Sequence, residues 1–382
     1  MLKVLKIRLY PSNEQKQKLS QHFGSCRYVY NMLLDAKIKA YECGDNLSAY
    51  ELKKRLVPMK KAEGGDFLKE VDSTALQNSV LKIDVAYKNF FRRVKQGGAV
   101  GFPRFKSKHH SKQSYQSSTA SKKDNKLYLP KIGLIKAKFH REIVGKIKTV
   151  TISLEANQYH ASINFEDGKE ETPATNNGRS IGIDVGIKVF AYTSDGVAIK
   201  HIPLKKEIAN VIKAQKVLSR RVKGGANRAK AKVKLAKKYL KLKNKRNDFL
   251  HKTTNDLAKN KQVKVEDLMI KNMSAKTKGS IDNPNMRSSA KSGLNRSILQ
   301  QSWGKFFELL EYKLKRNGGL LVKVNPMFTS QKCSNCGHIS KENRLSQSQF
   351  VCMSCNFTIN ADYNASINIL NSDAVGTTVK AF

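Results

Sequence analysis

Two tight cysteine pairs constrain this chain more than any other feature. Cys333-Ser334-Asn335-Cys336 and Cys352-Met353-Ser354-Cys355 stand fifteen residues apart. That is the C-x2-C…C-x2-C spacing of a tetrahedral four-thiolate site. Each pair is expected to form a knuckle whose backbone amides face the sulfurs. Gly337 follows the first pair, where a positive φ is easiest for glycine. Asn356 follows the second, and Asn is the next most tolerant residue there. A closed site has no open coordination position, so structural Zn²⁺ is expected there, ahead of a redox pair or an iron–sulfur centre. Cys26 and Cys43 stand alone and read as free thiols rather than parts of a disulfide framework.

The second constraint is charge. Among 382 residues, 72 Lys and Arg face 30 Asp and Glu, a formal net charge of +42. Solubility needs far less. A field of this sign attracts polyanions, and counterion release drives nucleic-acid binding. No apolar run approaches the ~20 residues of a spanning helix, and Met1-Leu2-Lys3-Val4-Leu5-Lys6 lacks the apolar stretch of a signal peptide. A soluble, intracellular protein of two to three domains is expected.

Val4–Tyr10 alternates apolar and basic residues, as a half-buried strand does, and Ser12 is placed to cap the following helix. Helical periodicity runs to about residue 96. From Thr74 to Val94, Leu76, Val80, Ile83, Tyr87, Phe90 and Phe91 recur near 3.6 residues, a face expected to pack inward. A break over 97–106 and a Ser/Lys/His-rich stretch to about 120 follow. Short strands return over 126–165, and the first strand is expected to join their sheet, with the helical block inserted. Residues 166–178 read as a linker. Beyond it come strands Ile181–Ile187 and Val189–Thr193, and a basic helical hairpin over about 204–259 broken at Arg220–Gly225. The strand Val263–Glu266, a polar segment 271–297 read as a mobile loop, a helix Trp303–Arg316, the strand Leu320–Val324 and a last helix near Tyr363–Leu370 complete the chain.

Three carboxylates are out of place in so basic a chain. Asp184 lies mid-strand in Ile181-Gly182-Ile183-Asp184-Val185-Gly186, Glu266 ends Val263-Lys264-Val265-Glu266, and Asp362 opens the last helix. A buried carboxylate needs a partner, and divalent cations are the explanation the three share. Hard oxygen ligands suit Mg²⁺ or Mn²⁺, and two such ions about 4 Å apart can activate a water and stabilise a leaving oxygen. The strand–hairpin–helix–strand–helix order fits an RNase H-like sheet. Asp195, in a Ser-Asp-Gly turn, and Asp267, expected on the opposite strand face from Glu266, take structural readings.

These motifs together resemble the TnpB proteins of bacterial insertion sequences, which are related to type V CRISPR effectors. The resemblance is carried by Ile181–Lys188, Val265-Glu266-Asp267-Leu268, Thr329–Gly337 and Asp362-Tyr363-Asn364-Ala365. Upstream, Ala75–Ser79, Tyr87–Arg92, Gly101–Lys106 and Arg246–Lys252 extend it over nearly the whole chain. It implies an α+β multidomain protein: a β-barrel-like wedge domain (1–11 plus 121–170), an inserted helical recognition domain (12–120), and an RNase H-like (RuvC) nuclease domain (179–382) with a zinc ribbon (327–358) inserted. It implies an RNA-guided DNA endonuclease, a monomer of the bacterial cytoplasm and nucleoid. A guide RNA from the transposon right end would pair with double-stranded target DNA beside a short adjacent motif. Asp184, Glu266 and Asp362 would bind two Mg²⁺. Ser73, Thr74, Gln77 and Asn78 would face the adjacent motif, Gln and Asn being able to pair with adenine edges. In the basic hairpin, Arg220, Arg221, Lys223 and Arg228 are expected on RNA.

Two departures stand out. Ala361 replaces a common Arg before the third acid, and Asn356 replaces a common Gly after the last cysteine; neither removes a ligand. A guided DNA-binding repressor of the same descent is the alternative, but such derivatives lose catalytic acids and this chain keeps three. A tyrosine transposase would need a His-based metal site, and the lone His109-His110 pair lies in a basic loop.

Overall fold

The computed structural model describes residues 2–98, 101–168, 176–275 and 288–374. The chain is α+β and divides into two compact units, Met1–Glu170 and Glu171–Phe382.

The first unit opens with β1 (Leu2–Tyr10), then α1 (Asn13–Glu42), α2 (Ala49–Lys54), α3 (Leu56–Lys61) and α4 (Ser73–Lys95). Strands β2 (Ser114–Ser117), β3 (Ser121–Lys123), β4 (Lys126–Leu129), β5 (Gly133–Lys138), β6 (Lys146–Glu155) and β7 (Gln158–Glu166) follow. They form one antiparallel sheet in the order β2-β6-β7-β1-β5-β4-β3, whose edge strands β2 and β3 are not paired to each other. The alternation in β1 buries Leu5, Ile7 and Leu9, and the strand is held by β7 (Leu5↔Ile163) and β5 (Leu9↔Ala137). Ser12 caps α1 in a reciprocal capping box with Gln15.

Two sequence expectations change here. Residues 114–117, grouped with the helical block 12–120, form a sheet strand. Buried Tyr115 and Ser117 make a single period-two alternation, too short to read against Ser- and Lys-rich flanks. The α4 face is fully buried only as far as Ile83; Tyr87 packs on the same core while partly exposed. Leu76, Val80 and Ile83 are fully buried, whereas Phe91 is 56% exposed.

The N-terminus of α4 is fixed from several sides. Asp72 caps it through Thr74 N at 2.9 Å and accepts from the Ser117 hydroxyl of β2. His22 Nδ1 lies 2.7 Å from Lys18 O, so its Nε2 accepts the Asp72 N–H at 3.1 Å. That network needs a neutral imidazole, and burial pushes the His22 pKa down accordingly.

The second unit builds a five-stranded sheet from β8 (Ser180–Val185), β9 (Ala191–Thr193), β10 (Ala198–Ile199), β11 (Gln262–Glu266) and β12 (Leu320–Val324). Its order is β10-β9-β8-β11-β12. The first three strands form an antiparallel meander, and β11 and β12 run parallel to β8. Between them lie α5 (Lys205–Ser219), α6 (Ala226–Leu257), α7 (Ile270–Met273), α8 (Ser288–Gln301) and α9 (Trp303–Arg316). The ribbon strands β13 (Gln349–Val351) and β14 (Thr358–Asn360) and the helix α10 (Ala361–Asn371) close the unit. One sheet face sends Ile181, Ile183, Val263 and Val265 against Leu250 and Leu257 of α6 and Trp303, Phe306 and Leu310 of α9. The other face receives α10, whose Ile369 packs on Val322 and Val324.

The polar segment 271–297 is helical at both ends, as α7 and the start of α8, although α8 buries only Ile298 and so has no apolar stripe to read. Residues 276–287 lie outside the described residues. No helix among the described residues is long and apolar enough to cross a membrane.

Candidate active site and metal centre

The acids meet on the α10 face of the second sheet. In the parallel pair β8/β11 the last registered partners are Ile183 and Val265. One step further sets Asp184 beside Glu266 on strands about 4.8 Å apart, with both side chains pointing away from the α6/α9 core. Asp362 arrives in the first turn of α10, where the helix dipole favours an anion. Asn360 caps that turn by accepting from Asp362 N at 3.0 Å and Tyr363 N at 3.1 Å.

Helix α10 can come this close because residue 182 is glycine. A Cβ there would lie 2.2 Å from Ser366 O and 2.6 Å from Leu370 N, both backbone atoms. Lys264 Nζ then donates to Ser372 O at 2.8 Å and closes the C-terminal end of the same helix. Gly182→Ala is expected to lever α10 off β8 at a cost of about 1–3 kcal/mol, read as a lowered denaturant midpoint. An unchanged midpoint would refute this close packing.

Burial, then the charges of Glu266 and Asp362, push the Asp184 carboxyl up to about 8. Burial also raises Glu266, opposed by the Thr329 hydroxyl, which donates to Glu266 Oε1 at 2.5 Å. Burial raises Asp362 against the pull of Arg344, whose Nη2 donates to Asp362 Oδ1 at 3.2 Å, with Lys188 a weaker cation nearby. Hard oxygen donors facing one another in a half-buried site form a donor set suited to a divalent cation. Asp267 pairs with Lys323 Nζ at 2.9 Å, and Asp195 sits in a turn beside Gly196 at φ +80.

The four cysteine sulfurs lie within 4.8 Å of one another, and among the described residues no other group of His, Cys, Asp or Glu is gathered this tightly. Cys333 and Cys355 sulfurs are 3.8 Å apart, and Cys336 and Cys352 sulfurs 3.5 Å apart. Tetrahedral Zn–S bonds near 2.3 Å imply sulfurs about 3.8 Å apart, so the cluster fits one such ion. Gly337 (φ +82) and Asn356 (φ +57) turn the two knuckles. The amides of His338 and Phe357 aim at Cys336 and Cys355; with the neighbouring thiols they bring Cys355 down to about 6, whereas those thiols outweigh the amide at Cys336 and push it up to about 12. Buried Asn343 ties the knuckles together, donating to Gln331 O and His338 O and accepting from Met353 N.

The closed ribbon is expected from the sequence to hold the segment before Asp362, but the residues that make the grip were not picked out. Asn364 accepts from Ser334 N at 3.0 Å and donates to Lys332 O at 2.8 Å. One turn later, Asn368 donates to Thr329 O and Lys332 O. The signal was available: two asparagines four apart share a helix stripe with Ala361 and Ala365, where a buried amide needs specific partners. The roles of Gly182 and Thr329 were also missed, and Arg344, which the sequence offers with Lys332 and Lys341 as a ribbon cation for nucleic acid, was not tied to Asp362. A glycine inside a strand marks close backbone approach; the other two become visible only in three dimensions.

The nucleic-acid candidates divide. Thr74 Oγ1 accepts from Ser118 N at 3.2 Å, and Asn78 donates to Gln116 O and Ser118 Oγ, both at 3.1 Å. Ser73 accepts from Lys60 Nζ at 3.0 Å. Gln77 is half-exposed on the same stretch of helix. In the hairpin, Arg220, Arg221 and Lys223 are exposed, whereas Arg228 donates to Leu218 O and Arg221 O, both at 2.8 Å, and staples the turn.

Sheet order, acid placement and ribbon together mark a class, and comparison with known proteins identifies it. Residues 162–277 match the family OrfB_IS605, described as "Probable transposase", and residues 303–369 match a "Cas12f1-like, TNB domain". Residues 1–46 match a "Helix-turn-helix domain"; here they fold as β1 and the single long helix α1. The Escherichia coli (strain K12) protein "Putative RNA-guided DNA endonuclease InsQ" is 35% identical over 97% of this chain and 92% of its own length. A "Putative RNA-guided DNA endonuclease" of Streptomyces pristinaespiralis is 32% identical over 96% and 88%. A Cas12f1 chain solved by cryo-EM with sgRNA and target DNA shares the fold at a TM-score of 0.54 and 17% identity, over 97% of this chain and 99% of that one. The chain belongs to the TnpB (IS605 OrfB) family.

Proposed function

We propose that the protein is an RNA-guided DNA endonuclease that cleaves target DNA beside a short adjacent motif, hydrolysing phosphodiesters at Asp184, Glu266 and Asp362. The observation that carries the reading is the convergence of these three acids on the α10 face, two in register on neighbouring strands and one in a helix first turn. The 3-2-1-4-5 order of strands β8 to β12 supports an RNase H-like (RuvC) domain. The relatives named as RNA-guided endonucleases support guide RNA and target DNA as partners.

Asp184, Glu266 and Asp362 would hold two Mg²⁺ or Mn²⁺ ions, and the four cysteines one Zn²⁺. Bound divalent ions supply a Lewis acid and lower the pKa of a coordinated water. The chain's residues do the rest. Thr329 fixes the Glu266 carboxylate, and Arg344 orients Asp362 and offers a cation to a phosphate beside it. Thr74 and Asn78 hold the start of α4 against β2, leaving Gln77 as the side chain to read a base edge. Arg220, Arg221 and Lys223 present charge to RNA phosphates, and Arg228 shapes their turn.

The test is cleavage of target DNA with a randomised flank, using protein co-purified with its guide RNA in Mg²⁺. Cuts should appear only beside matched targets with a defined flanking motif. Cleavage without guide RNA would refute guidance, and binding without any cleavage would mark a guided repressor instead.

A further inference from the structure

We propose that the C-terminal end of α4 and residues 101–106 form a stacking platform for unpaired bases of RNA. The inference deepens the guided reading and rests on it for the identity of the strand. Phe91 and Phe102 are 56% and 48% exposed. They belong to an ordered cluster. Phe102 meets Tyr87 at 5.7 Å and 86°, and Phe90 at 5.5 Å and 82°. Phe90 meets Phe91 at 5.1 Å and 69°.

The platform is braced from beneath. Asn31 donates to Lys106 O at 2.9 Å and accepts from Lys106 N at 2.8 Å, which pins the end of the segment to α1. Lys106 Nζ sits 3.4 Å from the Tyr30 ring centre, and Lys37 Nζ 5.2 Å from that of Tyr87. Rings held this way are ready to stack without first being ordered.

Charge selects the occupant. No acidic residue occurs between Asp84 and Asp124, a stretch that holds ten Lys and Arg, and Asp84 is itself paired with Lys88 at 2.9 Å. Arg93 Nη1 lies 3.4 Å from where a Cβ on Gly101 would stand, which puts a guanidinium against the phenylalanine-bearing segment. Exposed aromatics among an excess of cations match a phosphate backbone with accessible base faces. A duplex hides those faces, whereas unpaired RNA offers them.

The test uses the full-length protein and a short unstructured single-stranded RNA oligonucleotide, with affinity measured across a salt series. The double variant Phe91→Ala/Phe102→Ala should bind at least about tenfold more weakly. Its slope against log salt should not change, because no phosphate contact is lost. Phe91→Tyr/Phe102→Tyr should keep the affinity, and duplex DNA binding should be unaffected in both. Unchanged RNA affinity in the alanine variant, or an equal loss on duplex DNA, would overturn the platform. So would a loss confined to single-stranded DNA or to vesicles of anionic lipid. None of these readouts needs cleavage, so failure of the platform and failure of the nuclease reading are told apart.

Discussion

Cys352→Ser is expected to lower target cleavage by about a hundredfold or more, the scale on which misplacing a catalytic group by an ångström acts. The reason is the path from ribbon to acids. Losing one thiolate loosens the knuckles, and with them the segment that Asn364 and Asn368 hold through Ser334 N, Lys332 O and Thr329 O. That segment supplies the Thr329 hydroxyl to Glu266, and the ribbon supplies Arg344 to Asp362. One lesion therefore unsettles the supports of two acids. Guide-RNA affinity should fall little. Cys43→Ser, at an exposed thiol outside the cluster, should change neither cleavage nor bound metal. Full cleavage by a Cys352→Ser protein shown to lack the ribbon metal would break the coupling.

Asp184→Asn should make the metal-free protein more stable at neutral pH while removing its activity. In the folded state the Asp184 carboxyl is pushed up to about 8, from an ordinary value of 3.8. Between those values the folded chain holds a proton that the unfolded chain has released, so stability falls as pH rises across that window. Each tenfold change in proton affinity carries about 1.4 kcal/mol, so burying this carboxyl beside two other acids costs the metal-free fold a few kcal/mol near neutrality. Asparagine keeps the shape and removes the charge. Its Tm should exceed that of the unmutated protein by about 5 °C or more near neutrality, at roughly 2–4 °C per kcal/mol for a unit of this size. The gain should vanish near pH 4. Mg²⁺ should raise the Tm of the unmutated protein and leave the variant nearly unmoved. A variant less stable than the unmutated protein near neutrality would contradict the picture of a buried Asp184 that holds its proton beside two other acids.

Much of the second unit was legible because its elements carry strong local signals. The helix Trp303–Arg316 and the strand Leu320–Val324 appear with the bounds their periodicity predicts. The break at Arg220–Gly225 divides α5 from α6, with Gly224 at φ +86. Asp184 and Glu266 were conspicuous as charges inside apolar strands. What the sequence could not show was register: only the β8/β11 pairing sets those acids side by side, and only the close approach allowed by Gly182 brings Asp362 to them. Arg344 is one cation among 72 Lys and Arg, and nothing local distinguishes it. The α4 face misled for a related reason. Periodicity identifies an apolar stripe but not where its packing partner ends, so Phe91 reads like Ile83 and stands in solvent.

The central claim is that three carboxylates on the α10 face perform guided DNA cleavage. The most direct measurement is cleavage of a plasmid bearing the matched target by guide-loaded protein in Mg²⁺, with Asp184→Ala compared at equal guide occupancy. The unmutated protein should linearise the plasmid, and chelation should stop it. Asp184→Ala should bind the target with unchanged affinity and leave the plasmid intact. Cleavage that survives Asp184→Ala would show that the chemistry lies elsewhere in the chain.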